Sequence, residues 1–157
     1  MTRRDVIGAL GVTAFTLGTY GAVRAQTPAA KAADPHAGHA MGGPMEACAK
    51  ACADCMLECQ SCRAHCEGLV AGGKKEHVAT MKLCGDCAEI CGAAAGIVSR
   101  GGPLSALICE ACAKACDECG KACAQFPDDD HMKQCADACK KCATACRDML
   151  KHASMKH

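Results

Sequence analysis

The eighteen cysteines of this 157-residue chain fall into four segments, and within each segment they recur only at steps of three or four residues. The first segment carries Cys48, Cys52, Cys55, Cys59, Cys62 and Cys66. The second carries Cys84, Cys87 and Cys91. The third carries Cys109, Cys112, Cys116, Cys119 and Cys123, and the fourth Cys135, Cys139, Cys142 and Cys146. Alternating steps of three and four trace a single stripe on an α-helix, the a and d positions of a heptad. Every cysteine therefore belongs on the inward seam of some helix.

Little else in the chain can fill a core. There is no Trp, one Tyr and two Phe, and of these three aromatics only Phe126 lies beyond the N-terminal stretch. A domain of this size ordinarily packs Leu, Ile, Val and aromatics inside. Here cysteine has to supply much of the interior.

The segments are rich in Ala, Lys and Glu, without β-branched runs, which favours helix throughout. The first is expected from about Pro44 to Val70, stopping at Gly72-Gly73, and the second from about Lys74 to Ser99, stopping at Gly101-Gly102. The third starts at Pro103, a good first-turn residue, and ends near Phe126-Pro127. The fourth starts at Asp128-Asp129-Asp130, whose acids suit an N-cap and first turn, and runs to about Ala153. Connections this short place successive helices antiparallel, so the expected fold is all-α, an up-down-up-down four-helix bundle with a Cys-lined core over residues 45–157.

The N-terminus reads as an export signal. Arg3 and Arg4 precede a modest apolar, Gly/Ala-rich run that ends at Val23, and Val23-Arg24-Ala25 offers a cleavage site. Residues 1–25 thus fit a twin-arginine signal peptide, and residues 26–44, rich in Ala, Gly, Pro and His, a flexible arm. Removing residues 1–25 would take away Arg3, Arg4, Arg24 and Asp5 and leave the charge near balance. Nothing in that balance points to nucleic acid, or to a membrane once the signal is cleaved.

Four such seams admit few chemistries. Neighbouring cysteines on one helix are ~5–6 Å apart at Cβ, beyond the ~3.5–4.5 Å of a disulfide, so only cross-helix bridges could form. Inert apolar cysteine would explain burial but not the avoidance of Leu and Ala along the seams. Zn²⁺ wants closed tetrahedra, which look awkward to assemble from thiols strung along helices, and the turn-borne runs of Fe–S proteins are missing. Cu(I) is soft, selects thiolates and imposes little geometry. A CxxxC pair on one face could clasp one ion. With each thiolate bridging two ions, capacity approaches one Cu(I) per cysteine, on the order of 18. The expected function is high-capacity Cu(I) storage with multiple ions per chain. A redox or electron-transfer protein, or another thiolate metal (Zn) protein, is the alternative. No nucleophile triad, general base or phosphate loop appears, so no enzymatic activity is expected.

Soft donors also mark the ends. Met41 and Met45 precede or open the first helix, Met149, His152 and Met155 close the fourth, and His36 and His39 lie in the arm. Together they suggest a mouth that recruits copper. The opposite end offers His77, Met81, His131 and Met132, while His65 is expected to face outward. Helix two brings only three cysteines, and Ala94 and Val98 continue its seam, so copper sites should thin on that wall, near the Met45 end.

The twin-arginine start, the arm Asp34-Pro35-His36-Ala37-Gly38-His39-Ala40-Met41 and the CxxxC/CxxC ladders together resemble the exported copper storage proteins of bacteria. The resemblance implies a periplasmic or otherwise exported homotetramer. It implies that the ladder cysteines bind Cu(I), that the arm His and Met residues serve as entrance ligands, and that a copper-requiring enzyme is a possible recipient, as in methane-oxidising bacteria. Twin-arginine export of a folded protein would spare eighteen thiols an unfolded passage into an oxidising compartment.

Overall fold

The computed structural model describes residues 43–154. The export signal and almost all of the arm, including His36, His39 and Met41, lie outside the described residues, as does Met155. The described chain forms α1 (Pro44–Ala71), a short 3₁₀ turn (Lys75–His77), α2 (Val78–Ser99), α3 (Ser105–Cys123) and α4 (Asp130–Ser154). Among the described residues no helix is long and apolar enough to cross a membrane. α1 packs against α2 and α4, and α3 packs against the same two, which closes the expected four-helix bundle.

The breaks between helices follow from local chemistry. Gly73 takes φ 94° and Gly101 takes φ 62°, backbone that a residue with a Cβ adopts at a cost. At the first break, Lys74 N–H donates to Leu69 C=O (3.0 Å) and Gly73 N–H to Val70 C=O (3.0 Å). At the second, Gly102 N–H donates to Ile97 C=O (3.0 Å) and Gly101 N–H to Val98 C=O (3.0 Å). Both are Schellman closures that satisfy the last carbonyls of a helix.

The third helix departs from expectation at its start. Pro103 does not open α3. It sits in a turn closed by Ser105 N–H to Gly102 C=O (3.0 Å), at the position where its fixed φ helps, and the helix begins two residues later. Pro127 plays the same part before α4, inside the turn closed by Asp129 N–H to Phe126 C=O (3.1 Å). Asp129 then caps α4. Its Oδ1 accepts the Met132 N–H at 3.2 Å, and its carbonyl accepts the Lys133 N–H at 3.0 Å.

His65 does not face outward. It is partly buried, holds Asp129 Oδ2 with its Nε2 at 2.7 Å, and stacks on His131 with centroids 4.4 Å apart. The start of α4 folds over the end of α1, and the capping carboxylate turns toward the imidazole.

The interior holds all eighteen cysteines, each no more than 1% exposed. Ala88, Ala94, Val98, Ala113, Ala143, Met132 and Met149 complete it. Outside, charged pairs one turn apart, such as Lys50–Asp54 and Glu118–Lys121, keep the surface polar.

Asp129 both caps α4 and ties it to α1. D129A is expected to destabilise the apo bundle by about 1–2 kcal/mol, read from urea unfolding. An unchanged midpoint would show that neither contact matters.

Candidate metal centre

The sulfurs form one continuous column. α1 and α3 run parallel across the bundle diagonal, and their thiols pair at a near-constant register. Sγ–Sγ distances are 3.5 Å for Cys48–Cys109, 3.8 Å for Cys52–Cys112, 3.9 Å for Cys55–Cys116, 4.0 Å for Cys59–Cys119 and 4.0 Å for Cys62–Cys123. The separation alternates between 60 and 61 residues, so five rungs stay in step. Cys66 is in none of these rungs, and the diagonal sulfur pairs end at Cys62–Cys123.

α4 threads between these rungs. Cys146 lies 3.7 Å from Cys48 and 3.6 Å from Cys52, and Cys142 lies 3.6 Å from Cys52 and 3.7 Å from Cys112. Further along, Cys139 is 3.9 Å from Cys55 and 3.8 Å from Cys59, and Cys135 is 3.8 Å from Cys59. α2 closes the remaining side. Cys91 lies 3.6 Å from both Cys112 and Cys116, Cys87 lies 3.8 Å from Cys116, and Cys84 lies 3.7 Å from Cys119 and 3.8 Å from Cys123.

Two sequence expectations change. The first concerns the unit of the column. Within a CxxxC pair the sulfurs meet at 3.9 Å in Cys55–Cys59 and Cys87–Cys91, but most close approaches run between helices. The seams interlock across the bundle; pairs on one helix are the minority. The second concerns tetrahedral sets, which close readily. Cys52, Cys112, Cys142 and Cys146 have sulfurs all within 4.8 Å of one another, and so do Cys59, Cys119, Cys135 and Cys139, and Cys62, Cys84, Cys123 and Cys135. A metal–sulfur bond of ~2.3 Å gives a tetrahedral edge of about 3.8 Å, close to these separations. Sequence spacing shows only one helix at a time, so it hid sets assembled from three or four.

The wall contributed by α2 thins as expected. Ala94 and Val98 are fully buried where its seam continues. At the Met45 end the sulfurs are therefore those of Cys48, Cys109 and Cys146. Met45 is half-buried and Met149 is buried there, while His152 is exposed. At the other end His77 is buried and stacks on Phe126 at 4.1 Å, and its Nδ1 has no hydrogen-bond partner. Met132 is fully buried, with Sδ 3.5 Å from Cys62 Sγ. Met132 is among the donors the sequence offers at this end, and its place on the α4 seam, three residues before Cys135, sets it in the column.

All eighteen cysteines are free thiols. Hydrogen bonds among them divide the protons unevenly. Cys48 and Cys135 are held well below the usual thiol range, chiefly by the Cys109 and Cys119 thiols. Cys52 and Cys139 are driven well above it, chiefly through hydrogen bonds with Cys112 and Cys116, with burial adding. Cys66 is pushed up chiefly by burial. Among the described residues the buried polar side chains are only His77, Thr80 and Ser105, so no fixed cation accompanies the sulfurs.

Fold and site together define a soft-metal compartment: a helical shell around a dry column of thiols, with thioethers at both ends. The sequence profile of the copper storage protein family (Csp) matches residues 41–151, and the chain belongs to that family. Among solved structures, the Cu(I)-bound copper storage protein BsCsp3 is 36% identical, with 69% of this chain and 99% of that chain covered and a TM-score of 0.63. The copper storage protein Ccsp of Streptomyces lividans, loaded with 10 copper equivalents, is 30% identical, with 69% and 84% covered and a TM-score of 0.62. A protein of Nitrosospira multiformis is 36% identical, with 69% and 95% covered and a TM-score of 0.60. No curated protein matches the chain.

The raised thiols set a pH dependence. In the unfolded chain Cys66 ionises near 9.0, and in the fold it ionises later. Its contribution to stability is therefore full below pH ~9 and is lost as pH rises through the folded value. The urea midpoint of reduced apoprotein is expected to fall between pH 8 and 10. A flat or rising midpoint over that interval contradicts the assignment.

Proposed function

We propose that this copper storage protein holds many Cu(I) ions per chain on the thiolates of all eighteen column cysteines. The observation that carries the reading is a continuous thiol column buried with no cation beside it. Ionising a buried thiol without a counter-charge is costly. One Cu(I) per thiolate makes the filled column neutral, and bridging sulfurs let each ion meet two or three donors at the separations present.

Zn²⁺ would fit the tetrads in shape but not in charge. Four thiolates around one Zn²⁺ leave two net negative charges per site, and the core has nothing to offset them. Balance therefore favours a monovalent soft ion where distance alone does not decide. An electron-transfer role gains no support from a column with so many equivalent thiols. The chemistry required of the chain is binding and release, without catalysis.

The protein is read as exported by the twin-arginine route and acting in the periplasm or beyond, on the strength of Arg3, Arg4 and the run that follows. His36, His39 and Met41, with Met45, are read as auxiliary donors that gather copper where α1 begins. Assembly as a homotetramer and delivery to a copper enzyme belong to the same reading.

Reduced apoprotein titrated with Cu(I) against a chromophoric chelator is expected to saturate on the order of 18 ions per chain. About one proton should be released per ion at neutral pH, because most column thiols start protonated. Saturation at four ions or fewer would sink the column reading.

A further inference from the structure

The α4 seam does not begin at its first cysteine. Met132 stands three residues before Cys135, on the same stripe, and is fully buried. Along α1 and α4 the sulfurs alternate: Cys48 and Cys52 flank Cys146, and Cys55 and Cys59 flank Cys139. The next α1 sulfur, Cys62, meets the thioether of Met132 at 3.5 Å, among the shortest sulfur contacts in the molecule. Met132 thus fills a place in the column where the pattern calls for another sulfur.

Cys66 makes that place consequential. It is fully buried one helical turn beyond Cys62, and none of the five diagonal rungs includes it. An ion on Cys66 lies beyond the last α1–α3 rung, and Met132 is the sulfur that α4 brings to Cys62 there. The same end also holds the unpartnered Nδ1 of buried His77, against the ring of Phe126. An apolar cap would have no need of these unused donors.

We propose that Met132 is a metal ligand, and that its thioether with the Cys62 and Cys66 thiolates forms a terminal mixed-donor site for a soft monovalent cation. The proposal rests on the Cu(I) storage reading and adds to it a ligand that the cysteine count omits. A thioether is neutral and needs no deprotonation, so it neither releases a proton nor balances the ion's charge. The site is consequently weaker than the all-thiolate sites, the last to fill and the first to empty.

The test uses the whole protein with methyl-¹³C methionine, reduced and titrated with Cu(I) without oxygen. The Met132 methyl signal, assigned by its loss in M132L, is expected to shift in the final equivalents. It should be the first to return when a Cu(I)-selective chelator is added. M132L, which keeps volume and apolarity, is expected to lose about one ion per chain and the fastest phase of release. M56L, on the flank of α1, should keep both. A Met132 methyl signal that has not moved at saturation overturns the proposal, whatever the variant does. If the wild-type protein takes up no Cu(I) at all, the storage reading falls, and this proposal with it.

Discussion

Each thiolate in the core has to be matched by a positive charge, because among the described residues no Lys or Arg is buried with the sulfurs. In water that match would be optional. In a dry interior an unpaired charge costs several kcal/mol, so most of the thiols hold their protons until a cation arrives. The apo column is a network of thiols that share their protons unevenly, and metal takes the place of those protons. This constraint orders the rest of the structure. It explains why the core excludes ionic side chains, why a one-to-one monovalent filling suits it, and why binding should be sensitive to pH.

The helices can build such a column because cysteine is small. Neighbouring backbones come close enough that a Cβ at Gly120 would stand 3.3 Å from Cys139 Cβ, tighter than an ordinary contact. With bulky residues at a and d the diagonal sulfurs of α1 and α3 could not meet. Small seam residues let opposite helices touch through the centre, and constant register then carries the contact along five rungs. The apo core has modest hydrophobic payload, so metal adds stability as well as cargo.

The two ends differ for structural reasons. At the Met45 end α2 contributes Ala94 and Val98, which leaves three thiols and an apolar wall. At the other end Phe126, in the turn after α3, stacks on His77, and Met132 extends the sulfur pattern of α4. There, too, Asp129 joins the helix cap to His65, so the contact that starts α4 also holds it against α1. A bundle that looks uniform in its cysteine spacing is thus polar in what closes it.

The sequence by itself determined the helices and the faces they bury. Steps of three and four put every cysteine on a seam, Gly72-Gly73 and Gly101-Gly102 marked two breaks, and the acidic run before His131 marked a third. These are local rules, set by helical geometry and backbone freedom, and they need no knowledge of a partner helix. The softness of thiolates added Cu(I) to that reading, and the family motifs agreed with it. Only the tertiary structure decided which sulfurs meet. The diagonal rungs, the four-thiol sets that spacing made look awkward, the inward turn of His65 and the place of Met132 beside Cys62 all depend on the register between helices. That register is fixed by the turns around Pro103 and Pro127 and by side-chain packing, which a single seam does not record.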